Sequence, residues 1–294
     1  MIRLARRAFI GGGLTLLAAP SLIFASRSGG ERTSQIPRVA VCLGSGAVHG
    51  YAHIGVVRAF ETLGLRPDII TGSSVGAIVG ALWAAGLRAD AIEHLANDTS
   101  WREASGLRMP GLGIGKLDRL AALIDRHTDN KPLESLPIRF AAVATDLDSG
   151  LPVALSRGPL GPAVAASSSV PIRYEPVTIN GRRLIDGALS EPVPVDAARS
   201  IGATFTVAID VAYRPYEEPV TGITDVAFQM FHIMVNRLIE EQIKRADFAI
   251  RLDLHHIMTD GKDITSMMRA GEEAVHEQWP ALSHRLRSVG VDVP

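Results

Sequence analysis

Residues 68–86 read DIITGSSVGAIVGALWAAG, a short apolar run followed by a helix-like run of small and apolar residues that ends at Gly86. Between the two runs lies Gly72-Ser73-Ser74-Val75-Gly76, which has the form G-x-S-x-G. In a tight turn from strand to helix, the flanking glycines avoid clashes and the central serine projects its hydroxyl from the sheet edge. The free N–H groups of the following helix favour developing negative charge there. This context predicts that Ser74 is a nucleophile; the alternative is a serine-rich turn that only caps the helix.

The same alternation of strand and helix patterns continues on both sides of this turn. Residues 38–43 form an apolar run typical of a buried parallel strand, and residues 51–63 carry apolar side chains at helical spacing. Further patterns are strands at residues 138–145 and 204–209, a hairpin at 177–185 with Asn180-Gly181 at its turn, and helices at 90–98, 116–127, 225–246 and 263–287. This order predicts an α/β fold, a three-layer α/β/α sandwich with a mostly parallel central sheet.

A glycine-rich loop, Gly44-Ser45-Gly46-Ala47-Val48-His49-Gly50, follows the first predicted strand. Its G-x-G-x-x-x-G spacing is one residue longer than the dinucleotide-binding fingerprint. The nearest downstream acid, Glu61, falls within the predicted helix and not at the end of a second strand. We therefore favour an oxyanion hole, in which the backbone N–H groups of Ser45, Gly46 and Ala47 would bind the negative oxygen of a tetrahedral intermediate.

An acidic residue on a glycine turn, Asp186-Gly187-Ala188, follows the predicted hairpin. A lone Asp-Gly turn is usually structural. An acid on a tight glycine turn is nevertheless placed and aimed rather than solvated at random. The turn therefore gains its significance from the serine motif and the glycine loop that precede it.

These three motifs, in this order, resemble the patatin-like phospholipase family. The similarity spans residues 38–212 and is carried by the segments LGSGAVHGYAHIGVV, DIITGSSVGAIVGALWAAG, VATDLDSG, AASSSVPIRYEPV and RLIDGALSEPVPV. The resemblance implies a patatin-like fold and a serine lipid acyl hydrolase, a carboxylic ester hydrolase of the phospholipase, lysophospholipase or esterase type. It implies Ser74 as nucleophile, Asp186 as its base and an acyl-serine intermediate, with no metal or cofactor. The motif glycines are Gly44, Gly50, Gly72, Gly76 and Gly187.

The glycine loop departs from the family pattern. Family members usually carry three consecutive glycines, one further residue, then Arg or Lys and a glycine. Here those places hold Ser45-Gly46-Ala47, Val48, His49 and Gly50. Small side chains still permit a tight loop, but a histidine of ordinary pKa is largely neutral at pH 7 and does not replace the cation. The alternative to an active hydrolase is thus a catalytically weak or inactive lipid-binding protein on the same fold.

Other residues have structural interpretations. We expect His53 to pack or cap in the first helix, Asp146 and Asp210 to cap turns at strand ends, and Ser167-Ser168-Ser169 to form a helix-end loop. His255-His256 follows a strand pattern and is the candidate third member of a Ser-Asp-His triad. One helical face is assigned to the core rather than to an acyl pocket, namely Phe228, Phe231, Val235, Leu238 and Gln242, with Met230 and Met234 beside it.

The amino terminus is a separate segment. Residues 1–7 carry three arginines and no acid, and residues 8–26 carry no charge, which is the pattern of a secretory signal. Arg6-Arg7, followed by Ala8-Phe9-Ile10, resembles a twin-arginine signal and predicts a periplasmic or membrane-tethered protein. An uncleaved anchor that leaves the protein at the cytoplasmic face of the membrane is the alternative. The predicted division is 1–26 as signal or anchor, 27–37 as linker, 38–212 as catalytic core and 213–294 as a helical and strand-containing extension of the same domain.

Composition narrows the functional classes. With 294 residues, 47% hydrophobic and 21% charged, the chain is long enough for one large domain or two small ones and is not a disordered protein. Its net charge of −1 shows no basic excess for nucleic acid. The single Cys42 excludes an intrachain disulfide and a cysteine-rich zinc site. The predicted partners are a lipid or ester substrate and a membrane surface, and the sequence makes no prediction of oligomeric state.

Overall fold

The computed structural model of the protein describes residues 37–98, 115–212, 220–254 and 264–294. The strands in these ranges are β1 (Val39–Leu43), β2 (Ile69–Ser73), β3 (Arg139–Asp146), β4 (Pro152–Leu155), β5 (Val177–Ile179), β6 (Arg182–Asp186), β7 (Phe205–Asp210) and β8 (Phe248–Arg251). The helices are α1 (Ala52–Thr62), α2 (Val75–Ala84), α3 (Ala89–Asn97), α4 (Asp118–His127), α5 (Leu160–Ser167), α6 (Val195–Ser200), α7 (Ile223–Ile243) and α8 (Ile264–Ser288).

Two predicted features lie outside the described residues. They are the segment 1–26, with nearly all of the linker that follows it, and the pair His255-His256. The predicted division of the chain into segments therefore stays a prediction. Across the ranges that are described, no helix combines the length and the apolar character needed to cross a bilayer.

The eight strands form one mixed sheet. Pairing follows the order β5-β6-β3-β2-β1-β7-β8, and β4 also pairs with β3. The central pairs β1–β2, β1–β7, β2–β3 and β7–β8 are parallel, whereas β4, β5 and β6 pair antiparallel. The predicted hairpin is the β5–β6 pair, and both Asn180 and Gly181 have the positive φ that its tight turn requires.

Side chains of the central strands alternate between two apolar layers. In β1, Val39, Val41 and Leu43 belong to a large cluster that also contains residues of α1 to α5 and α8. Ala40 and Cys42 of the same strand belong to a smaller cluster with residues of α6 and α7. A sheet covered on both faces needs apolar residues at every strand position, which explains the uninterrupted run in β1. The predicted three-layer α/β/α fold is confirmed.

The register of β3 brings the ends of β2 and β6 together. β2 runs parallel to residues 139–143 of β3, and β6 runs antiparallel to residues 144–146. β4 pairs with residues 142–145 of β3, which include positions that also pair with β2 and with β6. β4 must therefore lie along the opposite edge of β3. β2 and β6 therefore lie in line along one edge and run towards each other. Their last residues, Ser73 and Asp186, pair with the neighbours Val143 and Ala144.

Helices α1 and α8 cross at a point where neither admits a side chain. A Cβ on Gly55 of α1 would lie 1.8 Å from the carbonyl oxygen of Met268, and a Cβ on Gly271 of α8 would lie 2.0 Å from that of Ala52. The two backbones are therefore in direct contact. This crossing fixes α8 against the helix that follows the glycine loop.

Gly271→Ala should lower the free energy of unfolding by about 1–3 kcal/mol, because α1 and α8 must move apart to admit the added methyl group. Urea denaturation followed by circular dichroism measures this change. Arg269→Ala is the matched control, since the Arg269 side chain is 69% exposed on the same helix. We expect it to change stability by less than about 0.5 kcal/mol. Equal midpoints for Gly271→Ala and the parent protein would contradict the close contact.

Candidate active site

Ser74 occupies a strained turn between β2 and α2. Its backbone has φ 55° and ψ −124°, and a positive φ is uncommon for a residue other than glycine. The turn is tight, because a Cβ on Gly72 would lie 2.3 Å from the carbonyl oxygen of Gly76. The Ser74 side chain makes no capping hydrogen bond to α2, so the capping alternative is wrong. Its half-buried position leaves part of the residue accessible to solvent.

The hydroxyl of Ser74 meets the carboxylate of Asp186. Ser74 Oγ donates to Asp186 Oδ2 at 2.7 Å. The other carboxylate oxygen, Oδ1, accepts from the backbone N–H of Ala188 at 2.8 Å. These two contacts fix the orientation of the carboxylate, which itself is fully buried. The head-on approach of β2 and β6 thus joins two residues that are far apart in sequence.

The environment of Asp186 makes it a stronger base than an exposed aspartate. Burial raises its pKa from 3.8 to about 7, because a charged carboxylate is costly away from water. The hydrogen bonds from Ser74 and Ala188 favour the charged form and oppose this rise. A carboxylate with a pKa near neutrality combines partial ionisation at pH 7 with a useful affinity for the serine proton.

The backbone around Asp186 is held from three sides. Its N–H donates to the carbonyl oxygen of Ser169 at 3.0 Å, and its own carbonyl oxygen accepts from Thr145 Oγ1 at 2.8 Å. The next residue, Gly187, has no room for a side chain, since a Cβ there would lie 2.1 Å from the carbonyl oxygen of Val143. Asp186 therefore has little freedom to move away from Ser74.

The predicted helix-end loop of serines contacts both members of this pair. Ser167 Oγ accepts from the Ser74 N–H at 3.0 Å and donates to the carbonyl oxygen of Val143 at 2.5 Å. Ser168 Oγ donates to the carbonyl oxygen of Ser74 at 3.3 Å. The expected location at the end of α5 is confirmed. The contacts with the Ser74 turn were not predicted, because no local pattern reveals a hydrogen bond between residues more than ninety positions apart. The available signal was the similarity of the segment AASSSVPIRYEPV to the family.

The glycine loop supplies fewer oxyanion donors than predicted. The N–H of Ser45 donates to the carbonyl oxygen of Pro192 at 2.8 Å, and that of Gly44 donates to Ile209 at 3.0 Å. The prediction that Ser45 is an oxyanion donor is therefore wrong, because its N–H already donates to Pro192. Among the described residues, no carbonyl oxygen accepts from the N–H groups of Gly46 and Ala47. These two groups remain as the candidate donors.

The loop lies directly against the nucleophile turn. The position of a Cβ on Gly50 is 2.0 Å from Val75 Cγ2, so the far end of the loop packs on the residue that follows Ser74. On the other side, the corresponding position on Gly46 is 2.6 Å from the carbonyl oxygen of Val211, just beyond β7. The loop is thus enclosed between the end of β7 and the start of α2. The loop that holds the predicted oxyanion donors therefore lies beside the Ser74 turn.

A buried histidine braces the loop. His53 is fully buried, and its Nε2 donates to the carbonyl oxygen of Gly44 at 2.7 Å. Burial lowers the pKa of His53 to about 4, so the ring is neutral at pH 7 and carries its proton on the nitrogen that makes this bond. The predicted packing role is confirmed, with the loop as its partner. His49, at the position of the family cation, is also buried.

Two acids at strand ends cap turns, as predicted. Asp146 Oδ1 accepts from the N–H groups of Asp148 and Ser149, both at 3.0 Å. Asp210 Oδ1 accepts from the N–H of Ala212 at 3.0 Å. Neither carboxylate belongs to the Ser74–Asp186 pair. Within the ranges described, no group of three or more His, Cys, Asp or Glu side chains is arranged to hold a metal ion.

Two solved bacterial structures match this chain at low sequence identity. VipD from Legionella pneumophila matches with a TM-score of 0.46 and 12% identity, over 84% of this chain and 67% of that one. The heterodimeric ExoU–SpcU complex from Pseudomonas aeruginosa matches with a TM-score of 0.48 and 15% identity, over 86% of this chain and 52% of the matched one.

Curated relatives share part of the chain at higher identity. An uncharacterised NTE family protein of Mycobacterium tuberculosis is 39% identical over 183 residues, which cover 61% of this chain and 51% of that protein. Lysophospholipase nte1 of Aspergillus fumigatus is 29% identical over 59% of this chain and 12% of its own length. Human patatin-like phospholipase domain-containing protein 6 is 30% identical over 59% of this chain and 13% of its own length. The match therefore spans about half of the mycobacterial relative and a small part of the other two.

The family model for patatin-like phospholipase matches residues 41–199. That range is more than half of the chain, and it includes the glycine loop, the Ser74 turn and the Asp186 turn. The family that the sequence motifs predicted is thereby confirmed. The chain belongs to the patatin-like phospholipase family.

Proposed function

We propose that this protein hydrolyses carboxylic ester bonds of lipids, with Ser74 as nucleophile and Asp186 as its general base. The observation that carries the proposal is the 2.7 Å hydrogen bond from Ser74 Oγ to the buried carboxylate of Asp186. It is supported by family membership and by the printed name of one relative, lysophospholipase nte1. The proposal covers phospholipids, lysophospholipids and simple lipid esters, presented at a membrane surface.

The first half of the reaction is acyl transfer to the enzyme. Asp186 takes the proton of the Ser74 hydroxyl as its oxygen attacks the ester carbonyl carbon. The carbonyl oxygen becomes negatively charged, and the N–H groups of Gly46 and Ala47 stabilise it, a contribution worth roughly 10²–10³ in rate per donor. The positive end of α2 adds to this stabilisation. The tetrahedral intermediate collapses, Asp186 returns its proton to the leaving alcohol, and an acyl-serine remains.

The second half of the reaction releases the acid. Asp186 takes a proton from a water molecule, whose oxygen attacks the acyl carbon in the same oxyanion site. Collapse of this second intermediate breaks the bond to Ser74 Oγ, which recovers a proton from Asp186. The fatty acid leaves, and the Ser74–Asp186 hydrogen bond is restored. Each proton that the base takes is returned within the same half-reaction, so the pair is regenerated.

A fluorophosphonate probe distinguishes this proposal from an inactive lipid-binding protein. The probe labels only an activated serine. We expect covalent labelling at Ser74 in the parent protein, and the measurement is the mass of the labelled peptide. An unlabelled, folded parent would favour the lipid-binding alternative, in which the altered loop with His49 fails to support catalysis.

Asp186→Asn should abolish ester hydrolysis as completely as Ser74→Ala, because the two residues act as one unit. Asparagine can still accept the Ala188 N–H at one oxygen, but its amide cannot take the serine proton. We expect a loss of at least about 10³-fold in kcat for both variants, measured with a water-soluble ester. Asp146→Asn is the matched control, since that acid caps a turn at the end of β3 and forms an ion pair with Arg182.

His255→Ala and His256→Ala test the remaining triad alternative in the same assay. In a dyad neither histidine takes the serine proton, and turnover should stay within a few fold of the parent. In a triad histidine is the base, and its loss is as damaging as the loss of the serine. A folded histidine variant without activity would overturn the dyad.

The raised pKa of Asp186 predicts the pH dependence. The base works only as a carboxylate, so kcat/KM should fall about tenfold per pH unit below an apparent pKa of about 7. An exposed aspartate would instead give a limb near its ordinary value of ~3.9. Initial rates with a soluble ester across this range measure the limb, and the rate of fluorophosphonate labelling should follow the same curve. A profile that stays flat from about pH 5 to about pH 7 would contradict burial as the source of the base strength.

We also propose export by the twin-arginine route, which rests on Arg6-Arg7 and the uncharged residues 8–26. Replacing both arginines by lysine keeps the charge but removes the paired guanidinium groups. The variant should accumulate in the cytoplasm, whereas the parent should fractionate with the periplasm or the membrane. Identical fractionation of the two proteins would count against this route.

A further inference from the structure

Helix α7 has apolar side chains on two opposite faces. The inward face is the one assigned to the core from sequence, and Val235, Ile239 and Gln242 on it are buried. The outward face carries a stripe of aliphatic and thioether side chains, Ile223, Val226, Met230, Ile233 and Met234, all of them exposed. Met230 and Met234 are 57% and 58% exposed, so their assignment beside the core is corrected. We call these five residues the α7 stripe.

The first half of α7 is only partly covered by the body of the protein, with Phe231 packed against the core and the α7 stripe turned outward. None of the residues 221–234 is buried, although most of this segment is apolar. Surface helices normally present charged or polar residues to solvent, and a helix that is apolar all round is usually buried or in contact with lipid. Isolated exposed apolar residues need no explanation, but five on one helical stripe form a continuous surface.

The α7 stripe lies at the same edge of the sheet as Ser74, where the parallel strands end. The chain leaves the end of α7 towards the start of β7, where the N–H of Asp247 donates to Thr206. The helix therefore runs from the carboxyl edge of the parallel strands towards their amino edge, and its exposed first half lies at the carboxyl edge, as Ser74 does. The Arg173 guanidinium lies 4.4 Å from the centre of the Phe228 ring, which links α7 to the loop after Ser167-Ser168-Ser169.

The charges around the stripe favour an anionic surface. Between Ile223 and Ile239 the one acid is Asp225, whose carboxylate accepts from the N–H groups of Thr221 and Gly222. The next two acids, Glu240 and Glu241, form ion pairs with Arg251 and Lys244. The exposed Arg237 continues the stripe at helical spacing. Aliphatic residues next to an arginine on a helix that lies flat are typical of contact with anionic lipid head groups. The arginine can keep its charge at the phosphates while its stem covers apolar surface.

We propose that the α7 stripe rests on an anionic phospholipid bilayer and holds the Ser74 site at the membrane surface. This inference depends on the lipid ester hydrolase function proposed above. The helix is about 20 Å long from Ile223 to Arg237, so the α7 stripe with Arg237 would lie along the bilayer surface and not span the bilayer. A second copy of the chain is the less favoured occupant, because the acid that a twofold contact would bring towards Arg237 is Asp225, whose carboxylate already accepts from Thr221 and Gly222.

The test compares three variants of the full chain with the parent. Ile223→Glu, Met230→Glu and the double variant place acids on the stripe, and Val289→Glu is the matched control. Val289 is 39% exposed after α8, next to Gly290, which packs near Pro37 ahead of β1 and so at the opposite edge of the sheet. Binding is measured by sedimentation with vesicles of equal parts phosphatidylglycerol and phosphatidylcholine, and turnover is measured on those vesicles and on a water-soluble ester.

We expect the double variant to lose about tenfold or more in vesicle binding and in vesicle turnover, and Val289→Glu to change neither by more than about twofold. Turnover of the soluble ester should be retained, because the stripe does not contact Ser74 or Asp186. Undiminished vesicle binding and turnover in the double variant would overturn the inference. So would a change from dimer to monomer in analytical ultracentrifugation without vesicles. A parent protein that binds vesicles through the α7 stripe but cleaves neither substrate would contradict the proposed function and still support the lipid-binding surface.

Discussion

The structure of this protein depends on one feature of strand pairing, the use of a single edge of β3 by two strands that run towards each other. β2 ends beside Val143 and β6 ends beside Ala144. Any shift of register in either strand would separate Ser74 from Asp186 or turn one of them to the other face of the sheet. The serine turn, the glycine after Asp186 and the serines at the end of α5 all fit around this junction. The contact between Ser74 and Asp186 is thus a consequence of sheet topology.

Burial gives the junction its chemistry. An aspartate in water is a weak base, whereas Asp186 is fully buried with a pKa raised to about 7. The same burial would be very costly for an unpaired carboxylate, and the donors Ser74 and Ala188 offset that cost. In the proposed dyad, burial therefore supplies the base strength that a histidine supplies in a triad. His53 serves instead as a neutral donor that fixes the carbonyl of Gly44 and, through it, the loop of candidate oxyanion donors.

The sequence predicts the local parts of this arrangement better than the non-local ones. The turn at Ser74, the hairpin at Asn180-Gly181 and the alternation of strands and helices are encoded in a few adjacent residues, and the structure has all of them. The loss of the Ser45 N–H to Pro192 depends on a segment far along the chain, so spacing within the loop could not reveal it. The exposure of Met230 has the same origin: periodicity identifies a helical face as apolar, but only tertiary packing determines whether another element covers it.

Helix α7 shows how two different physical demands divide along one element. Catalysis needs donors and a base fixed to within a fraction of an ångström, and the last turns of α7 contribute to that rigidity, since Gln242 Oε1 accepts from the Val193 N–H at 2.8 Å beside the glycine loop. Contact with a fluid lipid surface needs apolar area and a suitable charge, but no exact partner atoms. The first turns of the helix expose apolar side chains and contain no buried residue. A single helix can therefore be rigid where it supports the Ser74–Asp186 site and exposed where it would contact the proposed lipid surface.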